Sequence, residues 1–100
     1  MAARFWVGGT GTWSSANTAN WSATSGGASG ASVPTSADTV TFDSLSGTGT
    51  CTFTNGAVTV STITVNSVNI TLLLNAALAS NSGITFTAGT LTTNNNNITA

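Results

Sequence analysis

The chain has 100 residues, a net charge of −1 and 3% charged side chains, against about 25% in an ordinary soluble domain. His, Lys, Glu, Gln and Tyr are absent, and Arg4, Asp38 and Asp43 are the only charged side chains. This excludes phosphate neutralisation on a nucleic acid, which needs many Lys and Arg, and a polybasic membrane surface; it leaves acid–base chemistry almost no side chains, and no enzyme activity and no cofactor are expected.

The length allows one domain, with about two-thirds of its unfolded surface buried. The longest run of large apolar residues is Leu72-Leu73-Leu74, far short of the roughly 20 residues of a spanning helix, so no membrane insertion is expected. The opening residues lack the apolar core of a secretory signal. Cytoplasmic synthesis is expected, with any work outside a cell done inside an assembly. A surface carried by hydroxyls and amides resists association weakly, so a homo-oligomer, for instance a trimer, is expected.

Residues 1–37 form a Gly/Ser/Trp-rich N-terminal segment. Its opening, Arg4-Phe5-Trp6-Val7-Gly8-Gly9-Thr10-Gly11-Thr12-Trp13, reads as a short strand, a glycine turn and a second aromatic anchor. The glycines are no phosphate loop, because no Lys follows and no strand–helix frame surrounds them. Trp6, Trp13 and Trp21 have two readings: a small core beneath the glycine loops, or a docking patch, since aromatic anchors concentrate binding energy. On the second reading Arg4, Phe5, Trp6, Trp13 and Trp21 form a candidate interface for a neighbouring subunit or a glycan. Ser25 to Ser32 reads as a loop by composition, and Pro34 marks entry into the second region.

Residues 38–100 carry period-2 alternation, the mark of half-buried strands. Val40 and Phe42 share one face, as do Cys51 and Phe53, with Thr on the outward positions, where β-branching favours extended backbone. Asn55-Gly56 is a hairpin signal, because both residues tolerate positive φ, and Val58 and Val60 are read as the returning strand. The apolar parity then slips at Ser61-Thr62, at Asn66-Ser67 and near Gly89. It places Val68 on one face with Ile70, Leu72 and Leu74. Each slip demands a bulge or corner.

A loose repeat runs through this region: Ile63-Thr64-Val65-Asn66, Ile70-Thr71-Leu72-Leu73-Leu74-Asn75 and Ile84-Thr85-Phe86-Thr87. Units of this kind bury a face only by stacking on neighbours, and Asn94-Asn95-Asn96-Asn97 offers stacked amides. The expected fold is all-β: short β-solenoid or β-helix-like coils preceded by the N-terminal segment, with a β-sandwich or jelly roll as the alternative. Ile98-Thr99-Ala100 reads as the start of a strand with no polar cap. Such an edge invites pairing, either with another subunit or with more of the same polypeptide.

Chemistry-bearing residues are solitary. One Cys makes neither a disulfide nor a zinc site, and Cys51 is read as a small buried hydrophobe. Asp38 and Asp43 read as turn formers, or as a partner for Arg4, ahead of calcium ligands or a glycosidase pair. The glycosylation-like triplets at Asn20, Asn69 and Asn97 occur at about chance frequency in a chain so rich in Ser and Thr.

The Arg4–Trp13 run, Asn20-Trp21-Ser22 and Val33-Pro34-Thr35-Ser36-Ala37-Asp38-Thr39-Val40-Thr41-Phe42-Asp43 together resemble the N-terminal portion of Thr/Asn/Gly-rich virion proteins of tailed, aquatic bacteriophages. Phe86 to Asn94 is similar to the β-solenoid repeats of phage fibres and of some bacterial adhesins. The resemblance implies a non-enzymatic virion protein, a tail fibre or capsid decoration, with other virion proteins as partners and no catalytic residues. A bacterial surface adhesin that binds glycan is the alternative.

Overall fold

The computed structural model describes residues 2–14, 17–53 and 58–99. The fold is all-β, with no helix among these residues. The strands are β1 (Ala3–Trp6), β2 (Gly11–Trp13), β3 (Trp21–Ser22), β4 (Thr39–Phe42), β5 (Gly49–Phe53), β6 (Val58–Val60), β7 (Thr62–Leu74), β8 (Leu78–Ser80), β9 (Ile84–Thr92) and β10 (Ile98–Thr99). Seven of them make one sheet, ordered β2-β5-β7-β4-β1-β3 with β9 added on β7, curled into a half-barrel. The other three form a small sheet, β10-β8-β6.

Every pairing is parallel except β1 with β3. The register places like on like at offsets of about 20 residues. Val40 lies beside Ile63, and Ile63 beside Ile84. Cys51, Leu72 and Leu91 align in the same way, as do Val58, Leu78 and Ile98. Alternation turns these columns inward and leaves Thr columns, such as Thr41, Thr64 and Thr85, on the other face.

Two readings of local structure are corrected. The Asn55-Gly56 turn lies outside the described residues, but β5 and β6 do not form a hairpin. β5 pairs in parallel with β2 and β7, whereas β6 belongs to the small sheet and pairs with β8. A turn dipeptide favours reversal locally, but the buried columns fix the register over a longer range. Val68 is not on the buried face: it is 79% exposed, while Ser67 is buried. The register with β9 is irregular between Val65 and Asn66 and between Asn66 and Thr71, and the buried positions stay odd through Ser67 and become even only from Ile70, so parity shifts after Val68 rather than before it.

The slips read near Asn66 and Gly89 meet at that irregularity. Gly89 has φ +123°, and a Cβ there would come within 2.8 Å of the Ser67 carbonyl oxygen, so only glycine fits. The slip at Ser61 is also a corner. Ser61 N donates to Asp38 O (2.9 Å), and Ser82 N donates to Ser61 O (2.7 Å). The buried Ser80 hydroxyl lies 2.6 Å from Gly83 O and 3.0 Å from Ser61 O, adding a side-chain donor to carbonyls that already accept from Ile63 N and Ser82 N. In the Ile-Thr repeat, 63–65 and 84–86 stack directly, whereas Ile70–Leu74 pairs with Gly49–Phe53.

One apolar cluster runs through the molecule, from Trp6, Trp13 and Trp21 to Leu74 and Leu78. Residues 1–37 and 38–100 differ in texture but share this core, since β1 lies on β4 and β2 on β5.

Candidate functional site

The two ends of the stacked strands differ. At the N-terminal end the interior is closed. Trp21 meets Trp6 edge-to-face at 5.2 Å and Trp13 at 4.7 Å, and Phe42 and Phe53 complete the cluster. Such contacts contribute roughly 0.5–1.5 kcal/mol each beyond burial. Trp6 Nε1 donates to Gly9 O at 3.0 Å, while Trp21 Nε1 is buried without a partner.

The segment carrying Trp21 is held by Asn20. Val7 N donates to Asn20 O (2.8 Å), and Asn20 Nδ2 donates to Thr12 O (3.1 Å). The Asn20 amide fills the space that side chains at Gly8 and Gly11 would occupy. The glycines of the opening run therefore admit this clasp. Arg4 aligns with the Val40–Ile63 column, and its guanidinium donates to Ser32 O (2.8 Å), Ser32 Oγ (2.6 Å) and Ala3 O (2.9 Å).

The candidate interface residues are thus divided. Trp6, Trp13 and Trp21 are at most 2% exposed; they follow the small-core reading and present no aromatic face to a subunit or a glycan. Arg4 and Phe5 stay half-buried. Asp38 and Asp43 are both turn formers. Asp38 accepts from Thr35 N (2.8 Å), Ala2 N (3.0 Å) and Thr35 Oγ1. The Thr35 amide foremost holds its carboxyl below the ordinary value of 3.8; burial opposes this, while Ala2 and, last, Arg4 assist. Asp43 accepts from Leu45 N (3.0 Å) and Ser25 Oγ (2.6 Å). Cys51 is fully buried and free, and burial alone pushes its thiol well above the ordinary thiol range. Among the described residues no three His, Cys, Asp or Glu cluster as metal ligands.

The opposite end is open. A cavity of about 320 Å³ is lined by Ile63, Leu72, Leu78, Ile84, Phe86, Leu91 and Ile98. Its floor is buried Ile63, Leu72 and Leu78; its rim includes Phe86 and Leu91, 37% and 36% exposed. These are the inward columns one step beyond their last covered member. Among the described residues β9 pairs only with β7, and β10 only with β8. The mouth therefore offers an apolar socket bordered by free strand edges, a surface suited to strand addition and apolar contact. The Ile-Thr repeat marks Ile84 and Phe86 as apolar strand positions. That they converge with Leu91 and Ile98 on one opening depends on the long-range register and escaped the sequence reading.

One amide stack occurs near this end, Asn94 Nδ2 donating to Asn75 Oδ1 at 3.1 Å. Asn96 ties its turn back to Leu74 O at 2.8 Å. Comparison with protein-family models, curated proteins and solved structures gave no match.

Proposed function

We propose that the chain is a non-enzymatic structural module that works by stacking, a short β-solenoid closed at one end and open at the other. The observation that carries this reading is the parallel register of the apolar columns, Val40–Ile63–Ile84, Cys51–Leu72–Leu91 and Val58–Leu78–Ile98. Neighbouring strands in β-sandwiches and jelly rolls run antiparallel, so the register favours coils over either alternative. Stacked coils bury each face only against the next one, so a stacking role follows from the same columns.

The biological setting that fits best is the virion of a tailed phage, as an appendage fibre or outer capsid decoration in contact with copies of itself and other virion proteins. Support comes from the resemblance of the opening and Phe86–Asn94 segments, and from a composition in which hydroxyls and amides replace charge. The glycan-binding adhesin reading is weaker, because the three indoles that would offer flat faces to sugars are buried. The test is mass spectrometry of purified phage particles whose genome encodes the chain. Recovery at a copy number comparable with other structural proteins is expected; confinement to the infected-cell fraction would overturn the virion setting.

A further inference from the structure

We infer that the outer, threonine-lined face of the large sheet binds ice, seating a lattice of ordered water on columns of hydroxyls and methyls. This is a further activity, which rests on the parallel register and not on the virion setting.

Parallel pairing sets Thr beside Thr in ranks. Thr39 lies beside Thr62, and Thr41 beside Thr64 and then Thr85. Past the irregular stretch of β7, Thr50 lies beside Thr71 and then Thr90. The neighbouring column runs Thr12, Thr52, Leu73, Thr92. Ser and Asn, abundant in the turns, occupy none of these positions. The β-branch that favours Thr in strands also restricts its χ1, so a column repeats few placements of hydroxyl and methyl. Neighbours stand about 4.8 Å apart across strands and about 6.6 Å apart at alternate residues along one. Oxygens repeat in ice on this scale, so the hydroxyls take lattice positions and the methyls fill the cages between them.

The face also suits a neutral lattice. The charged side chains are engaged elsewhere: Arg4 on Ser32, Asp38 with Thr35 and Ala2, and Asp43 in its turn. No fixed charge therefore imposes its own hydration shell on the columns. Among the described residues, Thr12 Oγ1 accepts from Asn17 Nδ2 (3.0 Å) and Thr39 Oγ1 reaches Ala2 O (3.5 Å); the other column hydroxyls have no protein partner there and are left to water. Thr85, Thr90 and Thr92 are exposed and the rest half-buried. Waters in ice are already immobile, so the entropy that opposes a bridging water in solution is not lost again. A planar polysaccharide is the competing solid, but it is held by flat aromatic faces. Trp6, Trp13 and Trp21 lie in the core, and Phe5 alone borders the columns, beside Thr41.

Thermal hysteresis of the purified chain at millimolar and lower concentrations, with ice growth followed by microscopy, tests this. Faceted crystals and a freezing point below the melting point are expected, the gap widening with concentration. Thr64→Lys with Thr71→Lys, one in each group of columns, should abolish the gap. Thr59→Lys, exposed on the small sheet, should leave it unchanged. Far-UV spectra and urea midpoints establish that each variant is folded. If the double variant unfolds, Thr64→Ser with Thr71→Ser, which removes only the methyls, is read in its place and should narrow the gap. Ice growth indistinguishable from buffer, or hysteresis that survives the double substitution in a folded chain, would overturn the proposal. Retention on microcrystalline cellulose without hysteresis would overturn it in favour of a polysaccharide. Recovery in particles is a separate readout, so the virion setting stands or falls independently.

Discussion

The N-terminal and C-terminal ends of this molecule use the same column logic to opposite effect. At the N-terminal end the columns finish in Trp6, Trp13 and the Arg4 stem, and a segment returns across them carrying Trp21. At the other end they finish in Ile84, Phe86, Leu91 and Ile98, and nothing described crosses them. A stacked β architecture thus needs separate devices to stop: bulky aromatics, a clasp and a guanidinium. Where they are missing, the apolar interior becomes surface.

Removing the closure should have the largest effect. Trp13→Ala deletes a side chain in contact with Trp21, Phe42 and Phe53. It should cost about 3–5 kcal/mol, a large part of the stability of a domain this size, read as a fall in the urea midpoint. Phe86→Ala, at the rim, should cost less than about 1 kcal/mol, because its ring is already partly in water. Equal losses at the two sites would erase the distinction between the ends.

The clasp gives a finer test. Gly8→Ala drives a methyl into the Asn20 amide and should destabilise by about 1–3 kcal/mol. Adding Asn20→Ala should recover part of that loss, because the two sites share one space. Strictly additive losses in the double-mutant cycle would show that Asn20 does not fill that space.

A further effect is electrostatic. The Asp38 carboxyl is held below 3.8 in the folded chain, so its contribution is present at neutral pH and lost as pH falls below about 4 through the folded value. Asp38→Asn should lower stability at pH 7 by roughly 1–2 kcal/mol and flatten the acid limb of the stability profile. An unchanged acid limb would assign it to other groups.

Much of this was legible in the sequence, for a local reason. Alternation at Val40, Phe42, Cys51 and Phe53 is a property of neighbouring residues, and all four side chains are buried as read. The parity slips at Ser61 and Gly89 marked real corners, whereas the one read at Asn66-Ser67 falls two residues later, after Val68. What escaped was set at long range. Asn55-Gly56 promised a hairpin, yet β5 and β6 are committed to different sheets by columns about 20 residues apart. The offset varies from one column to the next, so no fixed repeat period announced them.

The Trp cluster was conspicuous, but an indole serves a core and an interface equally well. The β1–β3 pairing and the Asn20 clasp hold it inward, and the trace of the clasp in the sequence is the paired Gly8 and Gly11.

Hydrogen exchange followed by mass spectrometry tests the contrast between the ends most directly. In dilute solution the β1 amides, paired with β3 and β4, should exchange far more slowly than those of β9 and β10, each paired on one side only. Equal protection of β1 and β9 would contradict an edge paired on both sides at one end and on one side at the other.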